Sequence, residues 1–334
     1  MKTAPRTALV ASCLAALTLS ACSASATDDD AGSSTGEPIT VEYLYDTAEI
    51  DVPENGELTV VAPGRSDAEV ALALGVEPAG IYDWMWMGEE NHGVGPWAQD
   101  LLEGEPTYLG AAGEDYDYEL IQSLAPDLIL DVHSDHDEAT WSRLNEIAPN
   151  VSGPVGATPW QTGWREQVQQ IAQALGVPED GEALIEDVES QIAQAAEEHP
   201  EFEELSAVAA SKVAESYGLH IGTDMRWALL EGLGFSLHEP AEALAEGAEG
   251  YLVDVSEEQV DAFDADAAVF FASGFTLEEL QNDPLLSSLD TVQENRAVFI
   301  DPDSELAQAI SAGNVLSLPV VIEELPARLA EAVQ

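Results

Sequence analysis

The chain has 334 residues, enough for two domains with separate hydrophobic cores. Its 65 acidic residues against 9 basic ones, a formal charge of −56, exclude nucleic acid as a partner, because phosphate recognition needs clustered Lys and Arg. Disordered chains also carry high net charge, but 46% hydrophobic residues in periodic segments exclude a wholly unfolded protein.

In chain order, Lys2 and Arg6 precede an apolar run over residues 8–19 that is too short to span a bilayer. Residues 1–21 are therefore predicted to be an export signal. They close on Leu19-Ser20-Ala21-Cys22, which resembles the lipobox of bacterial lipoproteins, whose cysteine is acylated and becomes the mature N-terminus. The competing reading is an ordinary signal peptide in which Cys22 is incidental. Cys13 would be lost with the signal, so Cys22 would be the one cysteine left and no internal disulfide is expected. Residues 22–40, small, polar and acidic, read as a flexible tether, and no later segment approaches membrane-spanning length. The acidity is read as adaptation to a salty exterior, where screening shortens to about 3 Å at 1 M salt.

Segments 41–45 and 49–52 alternate like an edge hairpin, and 58–62 is an apolar strand that turns through Pro63-Gly64-Arg65 into a helix over 66–74, with Ser66 as its N-cap. Strand 80–83 leads into Trp84-Met85-Trp86-Met87 and a long loop; alternation would split this set, and the tryptophans are expected on the functional side. Helix 118–125 and strand 128–132 follow, then helix 138–147 and the short segment 150–152. Two consecutive helices, 160–175 and 180–198, interrupt the β/α alternation. Strand 205–213, helix 224–233, segments 257–273 and 275–289, strand 297–300 and helix 316–329 complete the chain. The expected fold is α/β, with two doubly wound lobes of mainly parallel sheet, connected where the two consecutive helices interrupt the alternation. The N-terminal lobe is assigned to 41–156, the connecting helix to 157–178 and the C-terminal lobe to 179–334.

One unit occurs twice. At a constant offset of 139, Glu119 matches Glu258, Ile121 matches Val260, Leu124 matches Phe263, Asp127 matches Asp266 and Ser134 matches Ser273. The two lobes are thus expected to be alike. Ligands of open α/β sheets lie beyond the carboxyl ends of the strands, which selects Arg65, Trp84, Trp86, His133 and Ser134 in one lobe and Ser216, Tyr217, Ser273 and Phe275 in the other. Trp160 and Arg226 are further candidates. Arg65 could instead pair with Asp67 or Glu69, and Arg226 with Glu231. His133 and His136, with Asp131, Asp135 and Asp137, form a cluster of metal-ligand types, although 135–138 also reads as an acidic helix start. No Gly-x-Ser-x-Gly, His-Glu-x-x-His or phosphate loop is present, and no enzyme is expected.

Taken together with the lipobox, Ser66-Asp67-Ala68-Glu69, Ala73-Leu74-Gly75, Gly95-Pro96-Trp97, Leu124-Ala125-Pro126-Asp127-Leu128-Ile129, Leu229-Leu230-Glu231-Gly232-Leu233-Gly234, Val255-Ser256-Glu257-Glu258-Gln259-Val260 and Asp283-Pro284-Leu285 resemble the class III substrate-binding proteins of ABC importers for ferric siderophores, haem and cobalamin. The resemblance covers the chain after the tether and rests on the order and spacing of these motifs. It implies two α/β lobes joined by one long helix, in a monomer, lipid-anchored at Cys22 on the outer face of the cytoplasmic membrane, that holds its cargo between the lobes with little hinge motion and no cofactor. A ferric siderophore is the expected cargo, with haem or cobalamin as alternatives; an extracellular metal-dependent hydrolase built on His133 and His136 is the alternative of another class. The resemblance further implies that Glu119 and Glu258 pair with arginines of the permease dimer. The competing reading makes both ordinary acidic residues in a first helical turn.

Overall fold

A computed structural model describes residues 38–334 except Glu215 and Glu249, so the expected export signal and Cys22 lie outside the described residues. The N-terminal half begins with the hairpin β1 (Ile39–Glu42) and β2 (Thr47–Ile50), followed by β3 (Val60–Ala62), α1 (Asp67–Ala73) and β4 (Gly80–Asp83). After two 3-10 turns come β5 (Thr107–Ala111), α2 (Tyr118–Ser123), β6 (Leu128–Asp131), α3 (Glu138–Asn145) and β7 (Asn150–Ser152). Strands β3 to β7 form a wholly parallel sheet in the order β5-β4-β3-β6-β7. Layers on both faces bury it, which is why Val60-Val61-Ala62 and Leu128-Ile129-Leu130 are unbroken apolar runs rather than alternating ones.

Helices α4 (Trp164–Ala174) and α5 (Pro178–Glu198) follow, then β8 (Ser206–Val213), β9 (Ser216–His220), α6 (Met225–Gly232), β10 (Ser236–Leu237), α7 (Glu239–Ala245) and β11 (Leu252–Val255). The chain finishes with β12 (Ala267–Ser273), α8 (Leu277–Gln281), α9 (Asp290–Gln293), β13 (Ala297–Phe299), α10 (Glu305–Ala312) and α11 (Leu318–Ala332). The second sheet runs β11-β9-β8-β12-β13, with β10 beside β8. It is mixed, because β9 lies antiparallel to both β8 and β11.

The sequence repeat is a structural repeat. β6 lies between β3 and β7, and β12 lies between β8 and β13. Asp127 accepts a hydrogen bond from the Thr59 amide at 2.8 Å, and Asp266, its counterpart, accepts one from the Ser206 amide at 2.9 Å. Each carboxylate thus pins the start of its sheet's first long strand. The helical parts differ: the first copy is α-helical, capped by Asp117, while the second is the 3-10 segment Glu257–Phe263, closed by a Ser256–Gln259 capping box.

The connection differs from the expected 157–178 helix. α4 has 11 residues and starts at Trp164, since Trp160 sits in a preceding turn with a left-handed backbone, φ 60°. The 21-residue α5 is the long element. Near its start Gly181 lies so close to Ala172 of α4 that a Cβ would come within 2.4 Å, and near its end Ile192 packs on Gly232 of α6. α5 therefore reaches from the layer of the first sheet to that of the second.

Ser66 does not cap α1. Its own backbone is left-handed and its hydroxyl donates to the Ala312 carbonyl at 3.3 Å, across to the last residue of α10. The first turn of α1 instead buries two acids. Asp67 accepts from the Val132 amide (2.6 Å) and the Gln167 side chain (2.7 Å), while Glu69 accepts from the Gly95 amide (2.7 Å), the Trp97 indole (2.9 Å) and the Asn314 side chain. Burial pushes both carboxyls up to about 7 despite these donors. A raised native pKa means that the folded protein keeps its proton where the unfolded chain has lost it, so this contribution is full below the ordinary carboxylate range and fades as pH rises to about 7. Thermal melts between pH 4.5 and 7.5 should therefore show stability falling with pH more steeply in the wild type than in Glu69→Gln, by up to about 1.4 kcal/mol per pH unit. Equal slopes would contradict this. The surface acids are common to both proteins and drop out of the comparison.

Candidate ligand-binding cleft

Between the two sheets lies a cleft of about 530 Å³. The first half contributes Arg65, Trp84, Met85, Trp86, His133 and Trp160; the second contributes Ser211, His220, Asp224, Arg226, Tyr251 and Ser273.

The tryptophan run is shaped by Asp83, at the carboxyl end of β4. One carboxylate oxygen of this buried residue accepts the amides of Met85 and Met87 at 3.0 Å each, and the other accepts that of Gly88 at 2.9 Å. The chain is thereby folded into a turn, so strand alternation does not apply. Trp84, Met85 and Trp86 all face the cleft and Met87 is buried. Trp84 is anchored by its indole N–H on the Pro63 carbonyl at 2.6 Å and meets Trp160 edge to face, ring centroids 5.0 Å apart. Trp86 has a left-handed backbone, φ 52°, and stands 72% exposed at the rim. Left-handed Trp86 and Trp160 concentrate backbone strain at the cleft.

Two cations face the same space from opposite halves. The guanidinium of Arg65 donates to the Ser311 carbonyl, not to Asp67 or Glu69. Desolvation and the approach of Arg226 both lower its pKa. Arg226 pairs with Asp224 at 3.1 Å rather than with Glu231, and its Nε–H is buried without an acceptor. Burial alone would raise Asp224, yet Arg226 and His220 beside it bring it down to about 2. His133 is pushed down to about 3 by burial and by Arg65, so it is neutral at ordinary pH. Two arginines against one carboxylate leave this wall net positive within a chain of charge −56.

Three predicted site residues lie elsewhere. Ser134 is buried, with its hydroxyl on the Asp131 carbonyl and beside His136 Nδ1, each at 3.2 Å. Tyr217 is a core residue whose hydroxyl donates to Asp283 at 2.8 Å. It sits on β9 opposite Lys212, at the cleft edge of the sheet, but its side chain turns to the opposite face, into a core with Val208, Ala210, Leu219 and Phe263. Phe275 packs beside Lys212, 5.4 Å from its ammonium, outside the cleft wall, whereas Ser273 lies on it. His136 turns away to Ser152, and among the described residues no three of His, Cys, Asp and Glu are placed to share a metal ion. Ser211, His220 and Asp224 were missed. Ser211 and His220 approach because β8 and β9 form a tight antiparallel hairpin in which Val213 pairs with Ser216, a turn that a continuous-strand reading of 205–213 does not reveal.

Two lobes, a cleft between them and a long linking helix define a two-lobed solute-binding protein. The chain belongs to the periplasmic binding protein family, which it matches over residues 60–304. A periplasmic solute binding protein of Mycobacterium smegmatis is 27% identical, with a TM-score of 0.75 over 89% of this chain and 99% of that one. PiaA of Streptococcus pneumoniae in complex with ferrichrome is 25% identical, TM-score 0.72, over 88% and 98%. SirA of Staphylococcus aureus complexed with staphyloferrin B is 20% identical, TM-score 0.70, over 87% and 98%, and shows the shared fold. No curated protein sequence matches the chain.

Gly64 fixes how Arg65 enters the cleft. A Cβ there would stand 1.9 Å from Asp67 Oδ2 and 3.1 Å from the Asp131 Cα. Gly64→Ala should drive the Asp67 carboxylate off the Val132 amide and cost about 2 kcal/mol of stability. Chemical denaturation checks this, and an unchanged midpoint would show that the site relaxes freely.

Proposed function

We propose that this protein captures an anionic ferric siderophore in the interlobe cleft and carries it to an ABC permease. The observation that supports this most directly is the pairing of Arg65 and Arg226 across a cleft walled by Trp84, Trp86 and Trp160. Cations suit the carboxylate or catecholate groups of such a complex, and aromatic faces suit its flat organic shell. The ferrichrome and staphyloferrin B complexes of similar structures place siderophores within the range of this fold. Carriage is the role that this reading assigns to the cleft. Acylation of Cys22 would hold it at the outer face of the cytoplasmic membrane, and the acidic surface would favour work in salt.

Glu119 and Glu258 are exposed at the starts of the two repeated units, and neither takes part in an ion pair among the described residues. They are proposed to meet arginines of the permease. Replacing both by Arg should abolish iron uptake in cells while the purified protein binds its siderophore unchanged; uptake at the normal rate would remove the docking assignment. In tryptophan-quenching titrations, a negatively charged ferric tris-catecholate should bind more tightly than a neutral ferric tris-hydroxamate. Arg226→Gln should shrink that preference about tenfold and Trp84→Ala should weaken both ligands, effects on the order of 1.4 kcal/mol. Equal affinity for the two complexes would overturn the selection by charge.

A further inference from the structure

The cleft wall built by β8, β9 and α6 holds a serine, a histidine and an aspartate in sequence of contact. Ser211 Oγ lies 2.6 Å from His220 Nε2, and His220 Nδ1 lies 3.3 Å from Asp224 Oδ2. The second approach is close but out of line for a hydrogen bond, a looseness common in sites that tighten around a ligand. Ser211 and His220 are diagonal neighbours on one face of the β8–β9 hairpin, and Asp224 follows four residues later as the N-cap of α6. All three line the cleft. His220 packs edge-on to Phe271, and burial holds its pKa below the usual histidine value. The ring is therefore neutral at neutral pH. With its proton on Nδ1 toward Asp224, it leaves the Nε2 lone pair to receive the proton of Ser211.

We propose that Ser211, His220 and Asp224 form an acyl-transfer triad that hydrolyses carboxylic esters held in the cleft. Ser211 Oγ bonds to the ester carbonyl carbon as its proton passes to His220. The C–O bond to the alcohol then breaks, and His220 returns the proton to the departing alkoxide. Water, deprotonated by His220, cleaves the acyl-serine to give the carboxylic acid and free serine. Asp224 holds the imidazolium that forms transiently. Ser211 sits inside the ladder between β9 and β12, so no backbone amide nest surrounds it and turnover is slow. That the natural ester is the backbone of an anionic siderophore rests on the proposed carrier role; the nucleophile itself does not.

The test treats the full-length protein with a fluorophosphonate, and separately with p-nitrophenyl acetate. One adduct should map to Ser211. Release of p-nitrophenolate should fall about 100-fold or more in Ser211→Ala and in His220→Gln. In Asp224→Asn the rate should fall, and the wild-type rate should rise with pH to a plateau whose midpoint lies below that of an ordinary histidine. Thermal melts establish that the variants are folded. No adduct, an adduct elsewhere, or a wild-type rate in folded Ser211→Ala would overturn the triad. Labelled Ser211 in a protein that binds no ferric siderophore would instead refute the carrier role and leave the triad standing.

Discussion

The structure depends on how Glu69 is buried. This carboxyl group forms no ion pair among the described residues, yet it is 4% exposed and gathers three donors from two separate parts of the chain: the Gly95 amide and Trp97 indole, and the Asn314 side chain. Two of these belong to the first half and one to the segment after α10. Together with the contacts of Arg65 to Ser311 and Ser66 to Ala312, Glu69 fastens the two halves at the floor of the cleft. A buried acceptor that loses its donors carries its full desolvation cost, so these bonds resist opening. The cleft floor is thus set by polar groups that cannot be satisfied separately in each half.

From that floor follows the electrostatics of the wall. α1 begins at Asp67, and Arg65, two residues earlier, is held by the segment that Asn314 anchors. Its guanidinium therefore enters the cleft from below while Arg226 enters from the side, leaned on Asp224. In a chain of charge −56 a local excess of cation must be maintained against the rest of the molecule, and burial does so by excluding the solvated acids of the surface. Trp84 and Trp160 supply the apolar part of the same wall, fixed by the Pro63 carbonyl and by each other.

Much of this was legible in the sequence. The 139-residue offset identified the two halves, and the Asp127–Asp266 pair proved to perform the same task in each. The strand-end rule selects Arg65, Trp84, Trp86 and His133, and the parallel strands before them bring all four to the cleft. It failed for Tyr217 because that side chain turns to the core face of the sheet, and it passed over His220 because 216–220 does not read as a separate strand. Ser66 had the residue type of a cap, but its hydroxyl is used across the molecule, a contact 246 positions away that no local pattern contains. The serine, histidine and aspartate of the far wall are ordinary residues in sequence, nine and four positions apart; a hairpin turn makes them neighbours. Local chemistry predicts elements, whereas the returning strand decides which side chains meet.

The most direct measurement of the central claim is the position of iron itself. Crystals grown with a ferric tris-catecholate and measured at the iron absorption edge should show one anomalous peak inside the cleft, between the Trp84–Trp160 wall and the paired arginines. An iron peak on the outer surface, or crystals that exclude the complex while remaining well ordered, would contradict the account.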